Sequence, residues 1–149
     1  MNHPSYPFTH DEAALQFDFE SISEQAIIQK RVIYSPTGVA DLYNLALVDI
    51  APDGSLDDSI QSGNDDLPEV VATVIQTLFV VFKAYPKSGV YFRGSDSKGI
   101  RIRLYRAIIG RDIDNVQELF DIYGLYSSTS AELFEPNKPY VAFIIKPKS

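Results

Sequence analysis

Between Leu67 and Tyr85 the apolar residues recur at spacings of three and four: Leu67, Val70, Val71, Val74, Ile75, Leu78, Phe79, Phe82 and Tyr85. That period places them on one face of a helix. Val80 and Val81 widen the apolar surface, so contacts on more than one side are expected. Asp66 and Glu69 stand at the capping-box spacing, with Asp in place of Ser or Thr, and Pro68 falls in the first turn, where a missing N–H costs little. The acids Asp65, Asp66 and Glu69 also suit the positive end of the helix dipole. Pro86 ends the run by pushing Tyr85 out of the α region.

Elsewhere the period changes to two. Phe17–Glu20, Ile27–Tyr34, Leu42–Ile50, Val90–Phe92, Asp121–Ser127 and Tyr140–Lys146 read as strands, with Gly124 marking a bulge in the fifth. Ser35-Pro36-Thr37-Gly38 and Pro136-Asn137-Lys138-Pro139 supply turn chemistry. Short turns between the early strands favour an antiparallel meander. Residues 115–120 predict one or two helical turns capped by Asp112 or Asp114. The stretch 97–109 supports two readings. Ile100, Ile102 and Leu104 alternate with Arg101, Arg103 and Tyr105 as in a strand, whereas a helix capped by Asp96 or Ser97 gathers Ile100, Leu104, Tyr105, Ile108 and Ile109 on one face, with Arg101 inside it. The helix is favoured because the apolar pattern continues to Ile109, and a hairpin across 96–99 stays open. Residues 1–14 are polar, with Pro4, Pro7, His3 and His10, and read as a flexible arm before a single domain over 15–149. The expected fold is α+β: a mostly antiparallel sheet in the order β-β-β-α-β-α-(α)-β-β, with helices packed on one face.

Composition narrows the chemistry. At 149 residues and 45% hydrophobic the chain can bury one sizeable core. It has no run long enough for a membrane span and no signal-peptide pattern, so a cytoplasmic protein is expected. Zero cysteines removes disulfides, thiolate metal sites and cysteine nucleophiles together. Both histidines lie in the arm, which leaves a Ser-His-Asp arrangement without a base. Eight acids and no base lie between Asp41 and Glu69. Their spacing lacks the alternate ligands and final Glu of a calcium loop, so a solvated loop is the preferred reading there, and neither a metal nor a cofactor is expected.

The positive charge is concentrated instead. Five of the six arginines, with Lys98 and one acid, Asp96, give residues 93–111 a net +5 in a chain of net −7. An arginine cluster beside the Gly94-Ser95 turn suits an anion, since the guanidinium offers a planar fork to phosphate or carboxylate. Arg93, Gly94, Ser95, Arg101, Arg103, Tyr105 and Arg106 are the candidate ligand-binding residues, and Tyr91, Tyr105 and Tyr123 are candidate stacking surfaces for a base. The competing reading pairs these arginines with the chain's own excess of acid. With a pI near 4.7, duplex DNA is disfavoured as a partner.

The phrases YNLAL, DDLPEVVATVIQTLFVVFKAYP, VYFRGSDSKGIRIRLYRAII and YVAFIIKPK together resemble an uncharacterised family of small bacterial proteins. That family shares an "ATV…F…YP" helix and an "F-x-G-S/T…R-x-R-L-Y" element. The resemblance runs from about Ile28 to Lys146, and Gly94, Arg101, Arg103, Leu104 and Tyr105 carry its most specific part, with Asp96-Ser97-Lys98-Gly99 as a departure. It implies a shared fold and no activity. Three functions are consistent with these residues. The preferred one is a non-enzymatic interaction module with a protein partner. The alternatives are a phosphate- or RNA-directed protein, toxin-like in the enzymatic case, and a nucleotide-binding module without catalysis.

Overall fold

The computed structural model describes residues 5–24, 26–57, 66–93, 113–127, 129–136 and 138–148. Nine strands and two helices lie among them: β1 (Phe8–His10), β2 (Gln16–Ile22), β3 (Ile27–Pro36), β4 (Leu42–Ile50), β5 (Leu56–Asp57), α1 (Leu67–Ala84), β6 (Gly89–Arg93), α2 (Ile113–Leu119), β7 (Phe120–Ser127), β8 (Ser130–Leu133) and β9 (Ala142–Pro147). Eight strands form one sheet in the order β1-β2-β3-β4-β6-β9-β7-β8, and the two-residue β5 pairs with the far end of β4. The fold is α+β and the sheet is mostly antiparallel. Among the described strands only β4 and β6 run parallel, joined through α1, since a parallel pair needs a long crossover.

The hydrophobic periods explain most of this. The six expected strands form, with small shifts at their ends, and three short strands, β1, β5 and β8, are added to them. Each is two to four residues long, too short for a two-residue period to show. Residues 8–10, inside the expected arm, pair with Phe17–Phe19 of β2.

One cluster of buried side chains makes the core. Phe17 and Phe19, Val32 and Tyr34, Leu45 and Leu47, Val90 and Phe92, Phe143 and Ile145, and Phe120 and Ile122 come from alternate positions of six strands. They share the cluster with Val70, Val71, Val74, Ile75, Leu78, Val81 and Phe82 of α1 and with Val116 of α2. These strand positions define the core face of the sheet, because successive side chains alternate between faces.

Helix α1 begins and ends where expected, but two details differ. Asp66 is its N-cap residue, yet the carboxylate makes no capping bond to the helix. It is buried, and accepts hydrogen bonds from the Tyr6 hydroxyl at 2.7 Å and from the Ser21 hydroxyl. A cross-chain use of the carboxylate displaces the capping box. Phe79 is 40% exposed, resting against the Phe120 ring at 5.0 Å, while Thr73 and Thr77 are buried. The threonines tolerate burial because each hydroxyl donates to a helix carbonyl, Glu69 and Val74 respectively. Thr77 also lies 2.7 Å from the Tyr34 hydroxyl.

Gly124 is not at a bulge. The register shift in β7 falls between Leu125 and Ser127. What Gly124 provides is room: a Cβ there would stand 2.4 Å from Cε1 of Tyr140, whose ring lies across the strand. The Tyr140 hydroxyl then donates to Glu132 at 2.8 Å and accepts the Glu135 N–H at 3.0 Å.

Candidate functional site

Of the seven residues expected to gather an anion, Arg93 is described, while Gly94, Ser95, Arg101, Arg103, Tyr105 and Arg106 lie outside the described residues, as does the helix-or-strand stretch 97–109. Arg93 ends β6 opposite Ala142 of β9, and its side chain is exposed. It alternates with Phe92 and so points away from the core face.

The same parity carries the expected stacking residues. Tyr91 pairs with Ile144 of β9, Ile144 pairs with Tyr123 of β7, and Tyr123 pairs with Leu133 of β8. One row therefore crosses four adjacent strands on the face opposite the core. Tyr91, Ile144 and Tyr123 are part-buried, and Leu133 at the sheet edge is 64% exposed. With strands about 4.8 Å apart, the two tyrosines are separated by roughly 10 Å across β9.

Cations flank the row. Lys146 is exposed, and its Nζ stands 5.7 Å from the centre of the Tyr123 ring. Gly89 lies beside its stem, where an added Cβ would meet Cγ of Lys146 at 3.4 Å. Lys148 reaches Asp121 at 4.0 Å. On the other side runs the row Arg93, Ala142, Leu125 and Ala131. Ala142 and Leu125 there are buried, whereas Tyr91, Ile144 and Tyr123 keep partial exposure and Lys146 is exposed. Sequence reasoning singled out Tyr91 and Tyr123 as residue types; it missed Ile144, Leu133 and Lys146, which join them only through the pairing of β9 and β8.

A second polar group lies on the core face beside the start of α1. Lys30 is 3% exposed, and its ammonium donates to Asp49 at 2.6 Å. Tyr6 anchors the chain start, its N–H donating to Thr73 at 2.8 Å while its hydroxyl meets Asp66. Burial and the Asp66 hydrogen bond push the Tyr6 phenol up to about 12. Among the described residues no buried side-chain nitrogen or oxygen lacks a hydrogen-bond partner. This cluster reads as core architecture, because a buried ion needs its partner within reach.

The remaining acids have local duties. Asp11 accepts the N–H groups of Leu15 and Gln16 at 2.9 and 3.1 Å, and those bonds hold its carboxyl below the usual range. Asp53 accepts both the N–H and the hydroxyl of Ser55. A depression of about 350 Å³ beside β1 and β2 is lined by Asp18 and Glu20, but Asp18 holds Arg31 through two hydrogen bonds and Glu20 accepts from Gln29. No group of three or more potential metal ligands occurs among the described residues. No helix among them is long and apolar enough to cross a membrane.

Comparison with curated proteins and with solved structures found no match. The model of a family of unknown function, DUF6934, matches residues 2–148, essentially the whole length over which the helix, the strands and the tyrosine row are built; the chain belongs to that family.

Proposed function

We propose that this protein is a binding module without catalysis, whose sheet face opposite the core takes a phosphate-bearing, nucleotide-class ligand. The observation that carries the reading is the register that sets Tyr91 and Tyr123 on one face, in one row, with Lys146 beside them. Aromatic rings offer stacking surfaces to bases, and cations meet phosphates. Arg93 borders the face and opens the arginine-rich stretch, so Arg101, Arg103, Tyr105 and Arg106 are assigned to the same ligand. The reading takes the two helices among the described residues to lie on the core face and the ligand to meet the opposite face, in a cytoplasmic setting.

The ring of Tyr123 already has a cation near it. At an exposed site that contact is worth about 0.5–1 kcal/mol, against about 1–3 kcal/mol for a stacked base. The base wins the ring, and Lys146 is released toward a phosphate.

Thermal unfolding with nucleotides, inorganic phosphate and short RNA tests the reading. A ligand at a hundred times its Kd adds about 2.7 kcal/mol, which should raise the midpoint by roughly 5–10 °C in a domain of this size. No rise with any of these ligands would sink it.

A second reading, a protein partner, draws on Leu133, 64% exposed on the edge strand β8 at the end of the same row. Edge strands and tyrosine-rich faces also receive proteins. It gains if the ligands shift nothing while Leu133→Glu abolishes binding to a purified partner.

A further inference from the structure

We infer that the hairpin end of β2 and β3 is a docking surface for a partner protein that presents a short apolar segment carrying one arginine or lysine. The surface draws on β1 to β5, none of which the nucleotide reading uses, so the two stand or fall separately.

Three observations lead to it. Phe17, Phe19 and Ser21 face the core, so Asp18, Glu20 and Ile22 face the other side of the sheet. Ile22 pairs with Ile27 across the hairpin, and the two residues are 52% and 62% exposed. In the next row Glu20 pairs with Gln29, Gln29 with Ile50, and Ile50 with Leu56, which is 49% exposed. Single exposed apolar residues are ordinary. Four aliphatic side chains on neighbouring positions of four strands make a patch, and such patches mark contact surfaces.

A depression opens beside the patch. Its volume of about 350 Å³ is at the small end for ligand pockets, about 300–1,000 Å³, so it takes one side chain. Its lining joins Ile22 and Phe8 to Thr9 and Glu20. It forms where β1 leaves the ladder: Asp11 donates to Gln16, Thr9 opposes Asp18, and Pro7, next in line opposite Glu20, has no N–H to give the Glu20 carbonyl. The Glu20 carboxylate accepts only a neutral amide, that of Gln29 at 2.9 Å. Acceptors above an apolar floor suit the charged head and aliphatic stem of arginine or lysine.

Charge selects the occupant. Around the patch Asp18, Glu20, Glu24 and Asp53 stand against Arg31, which Asp18 already holds through two hydrogen bonds. A phosphate backbone or an anionic lipid surface meets repulsion here, and a second copy brings the same acids to the contact. A cation flanked by apolar side chains finds both its charge and its surface matched.

The test is methyl NMR on isoleucine-labelled protein, titrated with a short peptide of valine and serine that has one central arginine. Two counterparts carry lysine, or citrulline, which keeps the shape of arginine without its charge. The arginine and lysine peptides are expected to shift the methyl signals of Ile22, Ile27 and Ile50, and the citrulline peptide should bind more weakly than either. Glu20→Gln should weaken binding about two- to fivefold, and Ile27→Ser about tenfold. Val39→Ser, at a site 63% exposed in the β3–β4 turn, should change nothing. Circular dichroism confirms that each variant is folded. If neither cationic peptide moves these methyls at millimolar concentration, or citrulline binds as tightly as arginine, the inference falls. It falls equally if oligouridine or phosphatidylserine vesicles move the same methyls and the peptides do not. Methyl shifts on raising the protein concentration alone, with a dimer in light scattering that Ile27→Ser abolishes, would give the surface to a second copy and overturn the assignment to another protein.

Discussion

Asp66 shows how far a residue's use can depart from its local pattern. Its position three before Glu69 suits a capping box, yet its carboxylate serves Tyr6 and Ser21, which arrive from 60 and 45 residues away. A cap bond is local and visible in the sequence; a hydroxyl delivered by another strand is not. Lys30 is a similar case. Within β3 it stands between exposed Gln29 and part-buried Arg31, and only the register opposite Asp49 explains a lysine with 3% exposure. Lys30→Met should cost about 3 kcal/mol, the lower end for breaking a buried pair, because Asp49 keeps 15% exposure and some access to water. The urea midpoint measures it. At Gly124 the Tyr140 ring leaves no room for a Cβ. Gly124→Ala should displace the ring, break its bonds to Glu132 and Glu135, and cost about 1–3 kcal/mol in thermal or urea unfolding.

Two tyrosines carry a pH dependence. Burial raises the phenol of Tyr140 to about 12, helped by its hydrogen bond to Glu132, and Tyr6 reaches about 12 for the corresponding reasons. In the unfolded chain a tyrosine titrates near 10. The folded state therefore holds protons that the unfolded state has lost between pH 10 and 12, and stability falls as pH rises through that window. Below pH 10 the contribution is complete. Removing both phenols, as Tyr6→Phe with Tyr140→Phe, should flatten the alkaline loss; an unchanged pH profile would contradict the assignment.

At the scale of elements, α1 was the most legible part of the chain. A three-and-four period over 18 residues, a proline in the first turn and another past the end specify its limits almost to the residue. What the period could not rank was the surroundings of each position. Phe79 fits the apolar face yet stays 40% exposed beside Phe120, while Thr73 and Thr77 are buried. The longer strands were legible for the same reason as the helix: β2, β3 and β4 repeat their pattern over seven to ten residues. β1, β5 and β8 repeat nothing. They exist because a longer strand offers an edge, with β2 receiving β1, β4 receiving β5 and β7 receiving β8.

For the whole molecule, local pattern decided the fold class and tertiary pairing decided which residues share the candidate face. The sequence by itself determined the helix and its ends, six strands and their alternation, a single core, the acidic total and the basic stretch 93–111. Those depend on neighbours along the chain, where period, capping and turn chemistry act directly. Only the tertiary structure decided that β6 runs parallel to β4 and that β9, last in the chain, enters between β6 and β7. A two-residue period says which side chains share a face of one strand, and nothing about which strand lies beside it. Tyr91 and Tyr123 could therefore be named as stacking residues, but their meeting in one row depends on Ile144 arriving from the far end of the chain.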